Sequence, residues 1–170
     1  MNGSSTRPVQ GNGAVRAPHV DSPLSGLDGM RALQVGAVGR PGVATLLGMT
    51  IEAVDEGRVV FGLEARPDFA NPLGTVHGGI LSTLLDSAMG CAVYTTLPPR
   101  WSYTTVDLTV TFVRAAPLDG GRLRAEGSVI HRGGRVATAD GRLTDADGRL
   151  LAHAVTTCMV LQPEREEGGR

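Results

Sequence analysis

The hydrophobic pattern of the chain changes period twice. Residues 1–24 show no period and are rich in Gly, Ser, Pro and Asn; a segment with so little apolar surface cannot offset the entropy of ordering, and a disordered tail is predicted. A weak amphipathic spacing over Leu27–Val38 predicts a helix. A second short helix runs from Pro41 through Leu47, proline being suited to a first turn. The period then falls to two. Met49–Asp55 and Arg58–Ala65 read as paired strands turned at Glu56-Gly57, and residues 66–76 as a loop. Residues 78–95 form the one long predicted helix, apolar on nearly every side through Ile80, Leu81, Leu84, Leu85, Ala88 and Met89, so other structure must wrap it. The exception is a narrow strip of Gly79, Ser82, Thr83, Asp86 and Gly90. Ser102–Arg114 alternates, with Val106, Leu108, Val110 and Phe112 on one face and Thr105, Asp107, Thr109 and Thr111 on the other. Gly121–His131, Arg135–Asp145 and Arg149–Leu161 complete the strands, the last two joined by an Asp147-Gly148 turn. The order ββ–helix–ββββ predicts an α+β fold, a curved antiparallel sheet wrapped around one helix. It occupies residues 25–163, followed by a short tail, 164–170.

Composition narrows the function. With 170 residues and a formal net charge of −1, the chain has the size of one domain and no electrostatic footprint for nucleic acid. Aromatic residues make up 4%, leaving few platforms for base stacking. No apolar run is long enough to span a membrane, and the N-terminus lacks the apolar core of a secretory signal. Cys91 and Cys158 have neither CxxC nor metal spacing. They read as reduced core thiols of a cytoplasmic protein, with no metal site.

The chemistry concentrates in Asn71-Pro-Leu-Gly-Thr-Val-His77-Gly-Gly-Ile-Leu-Ser-Thr-Leu-Leu-Asp86. Asp86 is the only charged side chain between His77 and Arg100. A carboxylate alone on an apolar helix is costly to bury unless it is hydrogen-bonded or does chemistry. Gly78 and Gly79 stand where the helix begins, and unsatisfied N–H groups gather there to meet a carbonyl oxygen or an anion. This combination points to acyl transfer or hydrolysis. A helix-terminal N–H aimed at a developing oxyanion contributes ~3–4 kcal/mol. Gly78 and Asp86, eight residues apart, are separated by about 12 Å along the helix axis. If both act on one carbonyl, two chains must supply them, which predicts a homodimer.

Asn71, Gly74, His77-Gly78-Gly79, Asp86, the strand Tyr103–Phe112, and the segments His131–Ala139 and Asp147–Ala154 together resemble the hot-dog-fold acyl-CoA thioesterases, in particular the phenylacetate-degradation-type branch. The likeness runs from about Leu46 to Leu161. It implies hydrolysis of an acyl-CoA or similar thioester, with no metal or redox cofactor, CoA being part of the substrate. It also implies composite sites in a homodimer, assembling further into a tetramer. Within such a site Asp86 matches the nucleophile or base. The Gly78 N–H matches the group that polarises the carbonyl, with Gly79 among the substrate contacts. Asn71 matches a residue that holds water or the carboxylate, and Thr105 matches one that lies near the acid. His131, Arg132, Gly133, Gly134 and Arg135 could clamp the CoA phosphates through guanidinium forks and glycine N–H groups. Arg114, Arg122 and Arg124 are weaker candidates for that role. Leu73, Leu85, Met89 and Tyr94 are expected to line the acyl pocket.

Plainer readings stand beside these. Asp86 could be a structural acid bonded to Ser82 or Thr83. His77 could shape its loop rather than shuttle protons, and Asn71 could be a turn residue before Pro72. Residues 131–135 could be a solvated hairpin turn. Thr105 lies opposite Val106 in the alternation, so only a bend or a second chain would bring it to the site. Two rival functions share the fold: a dehydratase or hydratase, which needs an acid and a histidine aimed together at the substrate's β-carbon, and a non-catalytic acyl-CoA-binding regulator.

Overall fold

In the computed structural model the described residues are 22–39 and 42–163. Pro41 and the predicted tails lie outside them, apart from residues 22–24. The Ser22 carbonyl accepts a hydrogen bond from the Arg100 N–H at 3.1 Å.

Helix α1 (Gly26–Gln34) starts at Ser25, whose hydroxyl accepts from the Asp28 N–H. It stops four residues short of the predicted end. Gly36, at φ 74°, turns the chain left-handed. The N–H groups of Gly36 and Ala37 close back on the carbonyls of Leu33 and Ala32, the cap that glycine favours after a last turn. A short helix α2 (Gly42–Leu47) follows. The paired strands β1 (Thr50–Asp55) and β2 (Arg58–Glu64) turn at Glu56-Gly57. A single 3-10 turn (Pro67–Phe69) interrupts the loop leading to the long helix α3 (Gly78–Thr95). Strands β3 (Ser102–Phe112), β4 (Arg122–Arg132), β5 (Val136–Thr144) and β6 (Leu150–Leu161) complete a six-stranded antiparallel sheet of order β1-β2-β4-β5-β6-β3.

Helix α3 lies in the concave face of this sheet. Its Leu84, Leu85, Ala88 and Met89 are fully buried, each large side chain contributing roughly 1.5–3 kcal/mol. The approach is close because β4 presents Gly127 to the helix: a Cβ there would fall 2.4 Å from the Ala88 backbone. Helix α1 crosses the C-terminal end of α3 as tightly, a Cβ on Gly26 falling 1.7 Å from the Tyr94 carbonyl oxygen.

One prediction for β3 is overturned. The strand does not alternate cleanly: pairing with β6 slips between Thr105 and Asp107, a bulge that leaves Val106 extra. Parity therefore reverses at Val106. Tyr103 and Thr105 share the helix-facing side with Leu108 and Val110, while Val106 is 60% exposed rather than lying beside Leu108. Across the outer face of β1, β2 and β4 runs a ladder of ion pairs, Arg122–Glu52 and Arg58–Glu126 at 2.8 Å, Arg124–Glu52 and Arg122–Glu64 at 3.1 Å. At the opposite margin β3 is an edge strand with β6 as its only neighbour among the described residues.

Candidate active site

The sequence around His77 determines which backbone groups the start of α3 leaves free. His77 is the N-cap, and its Nδ1 accepts from the Gly79 N–H at 2.8 Å. Its carbonyl takes the N–H groups of Ile80 and Leu81, at 2.9 and 3.3 Å. The Gly78 N–H remains, with no acceptor among the described residues. It opens on a groove of about 410 Å³ lined by Asn71, Thr75, Phe112 and Arg114 among others. The Phe112 ring leans over Gly78, where a Cβ would come within 3.1 Å of it. Asn71 shapes this groove through an Asx turn. Its Oδ1 accepts from the N–H groups of Leu73 and Thr75, and its Nδ2 donates to the Thr75 hydroxyl. His77 is exposed, and with Nδ1 accepting, a neutral ring carries its proton on Nε2.

Two turns along α3, Asp86 faces a different space. The Thr105 hydroxyl donates to Asp86 Oδ1 at 3.0 Å, a contact made possible by the bulge at Val106. The plainer partners foreseen for the acid are engaged elsewhere: Ser82 and Thr83 donate to the Gly78 and Gly79 carbonyls, both at 2.9 Å. Asp86 borders a cavity of about 210 Å³ with Ser87, Cys91 and Tyr103, closed by side chains of α1, α2, β1 and β2. Burial pushes the Cys91 thiol up to about 12 and the Tyr103 phenol well above its ordinary value, so both stay neutral and Asp86 is the only charged group among the described residues of the cavity wall. No described residue lines both the Gly78 groove and the Asp86 cavity. Among the described residues no cluster of His, Cys, Asp or Glu is placed to hold a metal.

The residues expected to line an acyl pocket lie elsewhere than this cavity. Leu85 and Met89 are fully buried, and Tyr94 lies against α1; none of them borders the cavity at Asp86. Leu73 is 87% exposed on its loop. The residues that do border it include Met30, Leu33, Val43 and Ala44. Sequence reasoning missed these because their helices precede the recognisable motif; the buried spacing Gly26, Met30, Leu33 was the available signal.

The His131–Arg135 segment lies near the C-terminal end of α3, away from Gly78. His131 and Arg132 end β4 and residues 133–135 make the tight turn into β5, in which the Gly133 N–H meets the Val136 carbonyl at 2.9 Å. The Arg132 guanidinium stacks over Trp101 at 5.4 Å from the ring centroid, while Gly134 and Arg135 are exposed. Arg122 and Arg124 belong to the ion-pair ladder, and Arg114 donates to the Leu150 carbonyl. That leaves Arg135 as the more available cation of the set.

A family model, the thioesterase superfamily, matches residues 73–152. A protein of Halobacterium salinarum, provisionally named an esterase, is 33% identical over 111 residues, 62% of this chain and 72% of its own length. A crystal structure from Ralstonia eutropha, provisionally named a thioesterase and described as a phenylacetic acid degradation-related protein, is 36% identical. It superposes with a TM-score of 0.70, covering 76% of this chain and 97% of the other. A thioesterase family protein from Silicibacter pomeroyi is 27% identical with a TM-score of 0.71, over 78% and 98% of the two chains. The chain belongs to the thioesterase superfamily and has its hot-dog fold, of the phenylacetate-degradation type.

Proposed function

We propose that this protein hydrolyses acyl-CoA, or a closely related acyl thioester, to the free acid and thiol in the cytoplasm, with water as the only co-substrate. The observation that carries the reading is Asp86: a carboxylate held by Thr105, the one charged side chain among the described residues lining an otherwise largely apolar cavity. Asp86 attacks the thioester carbon or deprotonates the water that does. The Gly78 N–H, left over when His77 caps the helix, receives the developing oxyanion. Groove and cavity are separate in one chain, so the reading pairs the Asp86 and Thr105 of one subunit with the Gly78 and Asn71 of its partner. Pairing of two β3 edges would join the sheets and remove an unprotected strand edge; a tetramer of two such dimers is the larger assembly. Arg135, with His131, Arg132 and the turn glycines, contacts the CoA phosphates.

The dehydratase reading needs a histidine beside the acid. The cap engages Nδ1 of His77 and leaves only Nε2 for such a role. The test is release of free thiol from an acyl-CoA panel by the purified protein, repeated with Asp86→Asn. Loss of about 10²-fold or more with an unchanged fold is expected; near-normal turnover in the variant would remove Asp86 from the chemistry. An enoyl-CoA that is hydrated without releasing thiol would indicate the rival.

A further inference from the structure

Strand β3 touches α3 at two points near Asp86. One is the Thr105 hydroxyl, which donates to Asp86 Oδ1 at 3.0 Å. The other is Tyr103, whose ring lies over Gly90: a Cβ on that glycine would fall 2.5 Å from the phenol oxygen and 2.8 Å from Cε2. Gly90 follows Asp86 by one turn and shares its face of the helix. Tyr103 precedes Thr105 by two residues and shares its face of the strand. Four residues of helix advance about 6 Å, and two residues of strand about 6.5–7 Å. The spacings match with the strand running against the helix, so a ring seated on Gly90 brings the Thr105 hydroxyl to the carboxylate. All four residues belong to one chain.

We propose that Tyr103, seated on Gly90, is the positioning residue that holds Thr105 against Asp86. The proposal rests on the thioesterase reading for its activity readout. The strand needs such a seat. Among the described residues β3 pairs with β6 alone, and that pairing slips directly after Thr105. A bulge bends the strand that carries it, so the ladder from β6 does not by itself fix the height of the threonine over the helix. Glycine weakens a helix interior, and at position 90 it admits the ring. Tyr94 supports the same ring from the side, with centroids 6.2 Å apart.

Variants of the full-length protein test this. Gly90→Ala pushes a methyl into the ring, and Tyr103→Ala removes the ring. Each should lower kcat for acyl-CoA by ~10-fold with KM little changed, the loss expected of Thr105→Val itself. Adding Thr105→Val to either should cost less than about 2-fold more, because the hydrogen bond is already gone. Tyr103→Phe keeps the ring and should retain most of kcat. Losses that multiply to ~100-fold in the double variants, or a Tyr103→Phe as slow as Tyr103→Ala, overturn the proposal. If Tyr103→Ala does not fold, the Gly90→Ala and Thr105→Val pair carries the same test. A crystal structure of Gly90→Ala gives a readout apart from turnover: the Thr105 hydroxyl should have left Asp86. If the wild type cleaves no thioester and this separation is seen, hydrolysis fails and the positioning stands. If thioesters are cleaved and the 3.0 Å contact persists in Gly90→Ala, the positioning alone fails.

Discussion

The two ends of the first half of α3 differ in kind. At Gly78 the helix offers backbone: one N–H, left over after a histidine cap, facing an open groove with an asparagine-shaped rim. At Asp86 it offers a side chain: one carboxylate, steadied by a strand hydroxyl, on a smaller and more apolar cavity. The first arrangement stabilises negative charge and the second supplies it. Thioester hydrolysis needs both at one carbon, yet the helix keeps them about 12 Å apart. Each half is therefore built as though its complement came from elsewhere.

The strongest way to break this comparison is to disable the halves separately. Gly78→Val presses a side chain onto Phe112 and crowds the N–H; Asp86→Asn keeps the shape and loses the charge. Either alone should cost about 10²-fold or more in kcat. If the sites are shared between subunits as proposed, co-expression of the two variants should give a heterodimer with both lesions in one site and the other site whole, recovering about half the wild-type activity per heterodimer. No recovery despite proven subunit mixing would show that each chain builds its own site.

Thr105→Val comes next. It removes a hydrogen bond to a charged group, an interaction of about 1.5–3 kcal/mol, and should lower kcat by roughly 10-fold with KM little changed. Thr105→Ser should restore most of the loss. If Val at this position is silent, the bulge serves packing rather than the acid.

A smaller effect is expected at the β4–β5 turn, where CoA contacts are proposed. Arg135→Ala should raise KM for acyl-CoA several-fold and leave kcat alone, because the contact is equal in ground and transition states. Thioesters lacking the nucleotide should be indifferent to it. Arg132→Ala should also lower the melting temperature, since its stack on Trp101 is lost. Equal losses on both substrate types would reduce the turn to a structural element.

The smallest expected effect lies on the outer face, away from both halves. The hydrogen bond from Arg58 holds the Glu126 carboxyl below its ordinary value, against a weaker opposing push from burial. A depressed folded value means the stabilisation is complete above the ordinary glutamate range and is lost as pH falls through the depressed one. Glu126→Gln should therefore melt slightly earlier at neutral pH, by roughly 0.5 kcal/mol or less for so exposed a pair. The difference should vanish in acid, and kcat should not move.

Much of this was legible in the residues. The long helix was readable to its ends because eighteen apolar-rich positions are bracketed by His77-Gly-Gly and the threonines before Pro98-Pro99. The pairing of β1 with β2 followed from alternation and a Glu-Gly turn. Asp86 and Gly78 stood out by isolation and position. Thr105 was misplaced on its strand because a bulge leaves no mark in a hydrophobic pattern: one extra residue reverses parity, and Val106 looks inward by type while it faces out by geometry. The cavity wall was missed for a different reason. Which helix covers a cavity is decided by contacts distant in sequence, here the glycine seat of α1 against Tyr94 and Leu97.

That seat has a temporal consequence. The ribosome makes α1 early, but its docking surface is the far end of α3, complete only once the chain has passed residue 97. At a synthesis rate of roughly 5–20 residues per second, α1 waits for seconds with its apolar stripe uncovered. Helix α1 thus docks on residues far downstream of itself, and the space beside Asp86 is incomplete until it does.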